Sequence, residues 1–201
     1  MEIGILALQG NFREHANLLK KLDANVKYIK KTEDLNEIDA LIIPGGESTT
    51  ISLLMKKYKL NSDIKKMHKK GMPIFGTCAG AILLAKNIIN YKLSNLGLAD
   101  ISIKRNDYGR QIDSFEAKLS IKDIGDFNGF FIRAPIIKNI HNGAEILSEH
   151  NNIPVMIQQH NLLLTTFHPE LTNDTKVHKY FLDMAKEYKE VREMQKDIEN
   201  I

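Results

Sequence analysis

The feature that most constrains this chain is a short strand that runs into its only cysteine. Residues 76–80 read Gly-Thr-Cys-Ala-Gly and follow the segment Pro-Ile-Phe at 73–75. The residues after Cys78 are small and then apolar at helical density, so the pattern predicts a strand, a sharp turn, a thiol and a helix. Such a turn lifts a nucleophile out of a sheet. A buried structural cysteine is the alternative, because free cysteine is among the most buried residue types.

Three properties of this turn favour a reactive thiol. The partial positive charge at a helix N-terminus favours the thiolate of Cys78 over the thiol. The backbone N–H of Ala79 is free to donate to a developing oxyanion. Gly76 is expected to take a backbone conformation that a side chain would forbid.

The composition is that of an ordinary globular enzyme. The 201 residues suit one domain spanning 1–201, and the net charge of +3 is too slight to argue for a nucleic-acid partner. A single cysteine excludes an intrachain disulfide framework and fits a reducing compartment. We find no signal-peptide pattern and no apolar stretch near the roughly 20 residues of a membrane helix. We therefore expect a cytoplasmic protein that does not associate with membranes.

Alternating strand and helix patterns predict an α/β fold with a mostly parallel sheet. Buried strands are expected at residues 3–8, 40–43, 73–75 and 162–167, and helices at 12–22, 50–58, 62–70 and 175–198. Residues 101–105 and 113–121 alternate in polarity and predict a pair of antiparallel strands beside that sheet. Ligands bind beyond the carboxyl ends of strands in such sheets, so motifs at those ends are the candidates for function.

A double-glycine loop follows the strand at 40–43. Residues 44–50 read Pro-Gly-Gly-Glu-Ser-Thr-Thr. Two glycines let the backbone approach a ligand and present its N–H groups, and Ser48 or Thr49 is expected to cap the next helix. A plain strand-to-helix turn would look the same, and no Gly-Lys-Ser/Thr follows to make a Walker A loop.

A histidine and a carboxylate follow the strand at 162–167. His168 and Glu170 are two residues apart on extended backbone, so both side chains can lie on one side. A carboxylate beside an imidazole fixes its tautomer and stabilises the imidazolium formed on proton transfer. The alternative is a histidine and a glutamate at an ordinary strand end. We find no metal-ligand spacing and expect no metal or other cofactor.

Together the three motifs resemble the class I, or triad, glutamine amidotransferases, in that family's order of Gly-Gly loop, cysteine elbow and His-x-Glu. The resemblance narrows to the glutaminase subunits of pyridoxal 5′-phosphate synthase, the PdxT family. It runs from the first strand to the last helix, and the further segments that carry it are 6–10, 47–50, 105–106, 109–111, 113–116 and 131–135.

The resemblance implies a flavodoxin-like three-layer fold, with helices on both faces of a sheet that has an antiparallel extension, and hydrolysis of L-glutamine to L-glutamate and ammonia. It implies a catalytic triad of Cys78, His168 and Glu170, with the N–H groups of Gly46 and Ala79 as the oxyanion hole. The residues implied to bind glutamine are Gly46, Glu47, Ser48, Arg105, Ile132 and Arg133. Arg105 and Arg133 supply charges for the α-carboxylate of glutamine, and the choice between them stays open.

The same resemblance implies a protein partner. Ammonia would pass to a PdxS-like synthase subunit that builds pyridoxal 5′-phosphate, within a large ring complex that the glutaminase subunits decorate. Because free glutaminase would waste glutamine, we expect activity to rise sharply when the partner binds. Three alternatives stay open: a glutaminase of another pathway such as imidazole glycerol phosphate synthesis, a non-catalytic module of the same fold, and a DJ-1-like cysteine protein.

Overall fold

The computed structural model describes residues 1–105, 114–141 and 143–199, with the side chains of 196–199 left out. Within these residues the strands are β1 (Glu2–Leu6), β2 (Asn25–Ile29), β3 (Ala40–Ile43), β4 (Ile74–Thr77), β5 (Ala85–Ile88), β6 (Ala99–Lys104), β7 (Ser114–Ile121), β8 (Gly125–Ile132), β9 (Ile136–Ile140), β10 (Ala144–His150), β11 (Ile153–Gln159) and β12 (Leu162–Thr165). The helices are α1 (Phe12–Lys21), α2 (Ser48–Lys57), α3 (Leu60–Lys69), α4 (Ala79–Leu84) and α5 (Lys176–Glu199).

The main sheet has seven strands in the order β10-β11-β12-β4-β3-β1-β2. The five strands from β12 to β2 are parallel, and β11 and β10 extend the sheet by antiparallel pairing. All residues of β3, β4 and β12 are buried, as expected for parallel strands covered on both faces. The predicted α/β fold with an antiparallel extension is confirmed.

Helices cover both faces of this sheet. Successive strand residues point to opposite faces, so in β4 Ile74 packs with the cluster that contains residues of α2, α3 and α4, whereas Phe75 packs with residues of α1 and α5. Val177 and Phe181 of α5 are fully buried, so one side of this helix packs on the sheet. No described helix is both long enough and apolar enough to cross a bilayer.

The prediction that strands near 101–105 and 113–121 pair with each other is wrong. Strand β6 pairs with β5 in parallel and with β9 in antiparallel orientation, whereas β7 forms a hairpin with β8. The hairpin closes through the short turn at 122–124, which costs little loop entropy. Its pairing is reinforced by Phe115 of β7 and Phe131 of β8, whose rings stack 4.6 Å apart.

Candidate active site

Nearly all the predicted site residues line one cavity at the carboxyl rim of the parallel sheet. The chain reaches this rim after β1, β3, β4 and β12, and the cavity has a volume of about 480 Å3. The residues that line it are Asn11, Gly46, Glu47, Ser48, Cys78, Arg105, Ile132, Arg133 and His168. Of the predicted residues outside this lining, Ala79 follows Cys78 directly and Glu170 lies buried behind His168.

A larger groove, of about 760 Å3, lies at the other rim, where β4 and β12 begin. It runs between the end of α3 and the face of α5 and includes Lys69, Lys70 and Arg192. Arg192 pairs with Asp39 there. None of the predicted site residues line this groove, so the smaller cavity is the candidate active site.

Cys78 occupies a strained turn between β4 and α4. Its φ of 47° and ψ of −100° lie outside the ordinary regions for a side-chain-bearing residue. The positive φ belongs to Cys78 and not to Gly76, where glycine is needed for a steric reason, because a Cβ there would lie 2.7 Å from the carbonyl carbon of Gly80. Gly80 explains how the turn fits, because a Cβ there would lie 2.0 Å from the Ile43 carbonyl oxygen. Strain of this kind is found at nucleophile elbows and costs of order 1–3 kcal/mol.

His168 and Glu170 form a short hydrogen bond behind the thiol. Nδ1 of His168 lies 2.6 Å from Oε1 of Glu170, and both side chains are buried. The backbone N–H of His168 donates to the Phe130 carbonyl at 2.8 Å, which anchors the segment to β8. With Nδ1 turned to the carboxylate, Nε2 is the ring nitrogen left to interact with Cys78.

The charges of this group support one another. Burial lowers the pKa of His168, but hydrogen bonds to Cys78 and Glu170 and their negative charges outweigh it and raise the pKa to about 10. Burial raises the pKa of Glu170, but the interaction with His15 and hydrogen bonds from His168 and Asn11 lower it to about 2. At neutral pH the arrangement therefore favours an imidazolium held by a carboxylate.

Asn11, which lies outside every motif named from the sequence, belongs to the site. Its Nδ2 donates to Oε1 of Glu170 at 3.0 Å. The same Nδ2 lies 3.3 Å from Nδ1 of His168, but that nitrogen directs its proton to Glu170 and cannot accept. The sequence could have pointed to Asn11 through its position, because residues 9–11 follow β1 and reach the same rim of the sheet as the other three motifs.

The Gly-Gly loop is held by hydrogen bonds to both backbone polar groups of Gly45. The Gly45 carbonyl accepts from the backbone N–H of Asn11 at 3.0 Å, and the Gly45 N–H donates to Oγ1 of Thr77 at 2.9 Å. Because C=O and N–H point in opposite directions across a trans peptide, the Gly46 N–H points away from Asn11. A Cβ on Gly45 would lie 2.3 Å from Cε1 of His168, so only glycine fits there.

Glu47 performs the capping role predicted for Ser48 or Thr49. Its carboxylate accepts from the backbone N–H groups of Thr49 and Thr50 at 3.1 and 2.7 Å, because α2 already begins at Ser48. Burial raises the pKa of Glu47, but the hydrogen bonds from Thr50 and Thr49 together outweigh it and lower the pKa to about 2. The capping prediction was therefore wrong in the residue, although a cap is present.

Arg105 reaches the cavity from the end of β6. Its Nη2 lies 3.4 Å from Oε1 of Glu47, and its guanidinium stacks on the ring of Tyr91 at 4.1 Å from the centroid. The Tyr91 hydroxyl lies 3.2 Å from Oγ1 of Thr49, which ties the ring to α2. These contacts hold the guanidinium at the cavity wall. The remaining motif residues 106–113 lie outside the described residues.

Ile132 and Arg133 form the opposite wall, where β8 ends. The thiol of Cys78 lies 3.9 Å from the Ile132 carbonyl oxygen. Arg133 has a φ of 43°, so the chain turns sharply at this position. Among the described residues no three His, Cys, Asp or Glu side chains are arranged to hold a metal ion.

Comparison with known proteins agrees with this geometry. Residues 5–187 match the model of the SNO glutamine amidotransferase family. The chain is 48% identical to "Pyridoxal 5′-phosphate synthase subunit PdxT" of Thermosipho africanus, over 92% of this chain and 100% of that one. It is also 48% identical to the protein of the same name from Brevibacillus brevis, over 94% of this chain and 100% of that one.

A solved structure described as a glutamine amidotransferase has the same fold. It superposes with a TM-score of 0.90 at 45% identity, over 92% of this chain and 98% of that one. The family model spans most of the chain, and the relatives match over nearly their whole length. The chain therefore belongs to the SNO glutamine amidotransferase family.

Proposed function

We propose that this chain hydrolyses L-glutamine to L-glutamate and ammonia with Cys78, His168 and Glu170, as the glutaminase subunit of a pyridoxal 5′-phosphate synthase. The observation that carries the proposal is the meeting of a strained thiol with an imidazole and its carboxylate at one cavity. A structural cysteine would not need the φ of 47° that Cys78 adopts. This argues against the non-catalytic alternative.

The first half of the reaction is acyl transfer to sulfur. His168 takes the thiol proton before the attack, so the Cys78 thiolate attacks the side-chain amide carbon of glutamine, and the imidazolium gives the proton to the departing nitrogen. Protonation is necessary because an amide nitrogen leaves poorly without it. Glu170 stabilises the imidazolium and keeps Nδ1 occupied, so that the other ring nitrogen does the transfer.

The second half is hydrolysis of the thioester. Water, deprotonated by His168, attacks the acyl carbon and releases glutamate and the free thiol. Both halves pass through a tetrahedral oxyanion, for which the N–H groups of Gly46 and Ala79 are the proposed donors. Ala79 is the first residue of α4, where backbone N–H groups have no partner within the helix. In related sites one such donor is worth about 3 kcal/mol.

Glutamine would enter between two walls of the cavity. On one side the backbone of residues 46–48 faces it, and on the other stand Ile132 and Arg133. Arg105, stacked on Tyr91, supplies a planar guanidinium suited to the α-carboxylate. Glu47 contributes through its backbone, since its carboxylate is engaged with α2 and Arg105.

The experiment that tests the chemistry measures ammonia release by the parent chain and by Cys78→Ala, each mixed with a synthase subunit of the PdxS type. The parent should release ammonia from glutamine, and Cys78→Ala should not, while circular dichroism shows the same fold. Turnover by Cys78→Ala would refute the triad. A DJ-1-like protein would leave glutamine intact in the parent as well.

The partner is proposed from the relatives described above, each of which is a subunit of pyridoxal 5′-phosphate synthase. Co-purification with a PdxS-type synthase subunit should give a stable complex of this chain, in the ring assembly described above. Glutaminase activity should rise sharply on mixing. Equal rates with and without the synthase subunit would contradict this coupling, and capture by the partner of another glutamine-dependent pathway would identify a different acceptor.

A further inference from the structure

Two histidines outside the triad lie fully buried behind Glu170. His15 of α1 and His178 of α5 are both 0% exposed, and Nδ1 of His15 lies 2.8 Å from Nε2 of His178. Burial lowers the pKa of His15, and burial followed by the neighbouring His15 lowers the pKa of His178 to about 3. Both rings are therefore neutral at pH 7, and each carries a single N–H.

The free nitrogen of His15 faces the triad acid. Nε2 of His15 lies 3.5 Å from Oε2 of Glu170 and 3.2 Å from Oγ1 of Thr77. Oε1 of Glu170 already accepts from two side chains, whereas Oε2 is buried without a hydrogen bond among the described residues. The same Thr77 hydroxyl accepts from the N–H of Gly45. His15 thus contacts both the triad and the residue that anchors the Gly-Gly loop.

The positions of the protons follow from these contacts. If the proton of His15 sat on Nδ1, it would donate to His178, whose own proton would then sit on Nδ1, a buried atom without a partner. The bare Nε2 of His15 would also present its lone pair to the Glu170 carboxylate. With the proton on Nε2, His178 donates to His15, and the His15 N–H donates to Oγ1 of Thr77 at 3.2 Å while it lies 3.5 Å from the negatively charged Oε2 of Glu170. In this tautomer only a nitrogen lone pair of His178 lacks a partner. The free-energy cost of that lone pair is smaller than the cost of a buried N–H without an acceptor or of a carboxylate that faces a lone pair.

We propose that His15, protonated on Nε2 and held in that tautomer by His178, is a positioning residue that fixes Oε2 of Glu170 so that Oε1 stays on His168. The proposal rests on the proposed triad chemistry. It adds two rings to the chain of contacts in the proposed triad, which then runs in the order His178, His15, Glu170, His168 and Cys78. His15 touches none of the reacting atoms and acts through Glu170 alone.

The first test needs no substitution and no substrate. Nitrogen-15 NMR of the histidine side chains in the parent chain reports which ring nitrogen carries the proton. His15 and His178 should both be neutral with the proton on Nε2 from pH 7 to 8. A proton on Nδ1 of His15, or a charged His15 ring in this range, overturns the proposal. Because the measurement is independent of turnover, failure of glutamine hydrolysis would not be confused with it.

The second test compares two replacements of His15 in the complex with the synthase subunit. His15→Gln places an amide N–H near the position of Nε2, whereas His15→Met fills similar space without a donor. We expect His15→Met to lower kcat by about tenfold with little change in KM, because Glu170 loses the N–H that faces its negative charge, and we expect His15→Gln to recover most of the loss. His68→Met, at a histidine of α3 away from the cavity, should leave kcat unchanged.

The pKa of His168 distinguishes the proposed positioning role of His15 from a role in packing alone, because a packing role would leave this pKa unchanged. The groups that face His15 are Glu14 on its own helix, Glu170 and His168 after β12, and His178 on α5. If Oε2 of Glu170 loses its orienting N–H, the imidazolium loses support and the pKa of His168 should fall in His15→Met but not in His15→Gln. Equal kcat and equal His168 titration in the parent and folded His15→Met would overturn the proposal, as would equal losses in both variants. Should His15→Met fail to fold, the comparison of His15→Gln with the parent and the tautomer measurement still decide.

Discussion

The side-chain amide of Asn11 donates at 3.0 Å to Oε1 of Glu170, the same oxygen that accepts a hydrogen bond from Nδ1 of His168. The backbone N–H of the same asparagine donates to the Gly45 carbonyl, also at 3.0 Å. One residue after β1 therefore holds the acid of the triad with its side chain and the Gly-Gly loop with its backbone. The two contacts can be separated by substitution, because any residue except proline keeps the backbone N–H.

Replacing Asn11 with alanine should lower kcat without unfolding the chain. The substitution removes one hydrogen bond to a buried carboxylate, an interaction of about 1.5–3 kcal/mol, so we expect a loss of roughly tenfold to a hundredfold. The measurement is the rate of ammonia release with the synthase subunit present. Asn87→Ala, which changes an amide on β5 away from the cavity, is the control. Parent-like rates for Asn11→Ala would mean that Glu170 needs no support from this side.

The charge state of His168 gives a prediction about pH. Because the pKa of this ring is raised to about 10, NMR should find an imidazolium throughout the neutral range. Cys78→Ala removes one of the hydrogen bonds and one of the charges that raise the pKa, so His168 should titrate at lower pH in that variant. A parent ring that titrates near the ordinary value of 6.5 would contradict the arrangement.

The same shift predicts how stability depends on pH. The folded-state pKa of His168 lies above its unfolded value of 6.5, so its contribution is fully present below pH 6.5 and is lost as the pH rises through about 10. Glu170, with a folded-state pKa of about 2, contributes above its unfolded value of 4.5 and loses that contribution as the pH falls through about 2. Urea titrations of the parent should show both declines. Cys78→Ala should weaken the alkaline decline, and an unchanged alkaline slope would count against the pairing.

How much of this site the sequence predicts depends on whether a residue acts through local pattern or through distant packing. Cys78, the Gly-Gly loop and His168 each sit directly after an apolar strand, and parallel strands bring their carboxyl ends to one rim. Their convergence was therefore predictable. Asn11 follows β1 in the same way, but a lone asparagine after a strand is also an ordinary turn residue.

Other features depend on contacts that no local pattern reveals. His15 reads as one position on an amphipathic helix, and its partners Thr77 and His178 lie 62 and 163 residues away. The pairing of β7 with β8 was missed for a similar reason, since alternation predicts a strand but not its neighbour. Glu47 is the N-cap residue because α2 begins at Ser48, earlier than its apolar pattern indicates. The ends of helices are the least certain part of such predictions.

Gly45→Ala should abolish activity while leaving the fold intact. A Cβ at this position would meet Cε1 and Nδ1 of His168 at 2.3 and 2.7 Å, so either the ring or the loop must move. We expect kcat to fall by a hundredfold or more, since a displacement of about 1 Å can cost that much. Gly125→Ala, at the first residue of β8, where an added Cβ meets nothing within 4 Å, is the control and should lower only the melting temperature, because its φ is +89°. Activity retained by Gly45→Ala would show that the loop can relax away from the histidine.

The last prediction decides which arginine holds the substrate. Arg105 lies against Tyr91 and Glu47, which fix its planar guanidinium at the cavity wall, and this favours it for the α-carboxylate of glutamine. Arg105→Lys keeps the charge but loses the two-pronged grip and the stacking, so KM for glutamine should rise about tenfold with kcat nearly unchanged. Tyr91→Leu, which removes the stacking partner alone, should raise KM by a smaller factor. Arg133→Lys is the matched comparison: a larger rise in KM there than in Arg105→Lys would assign the carboxylate to Arg133 instead.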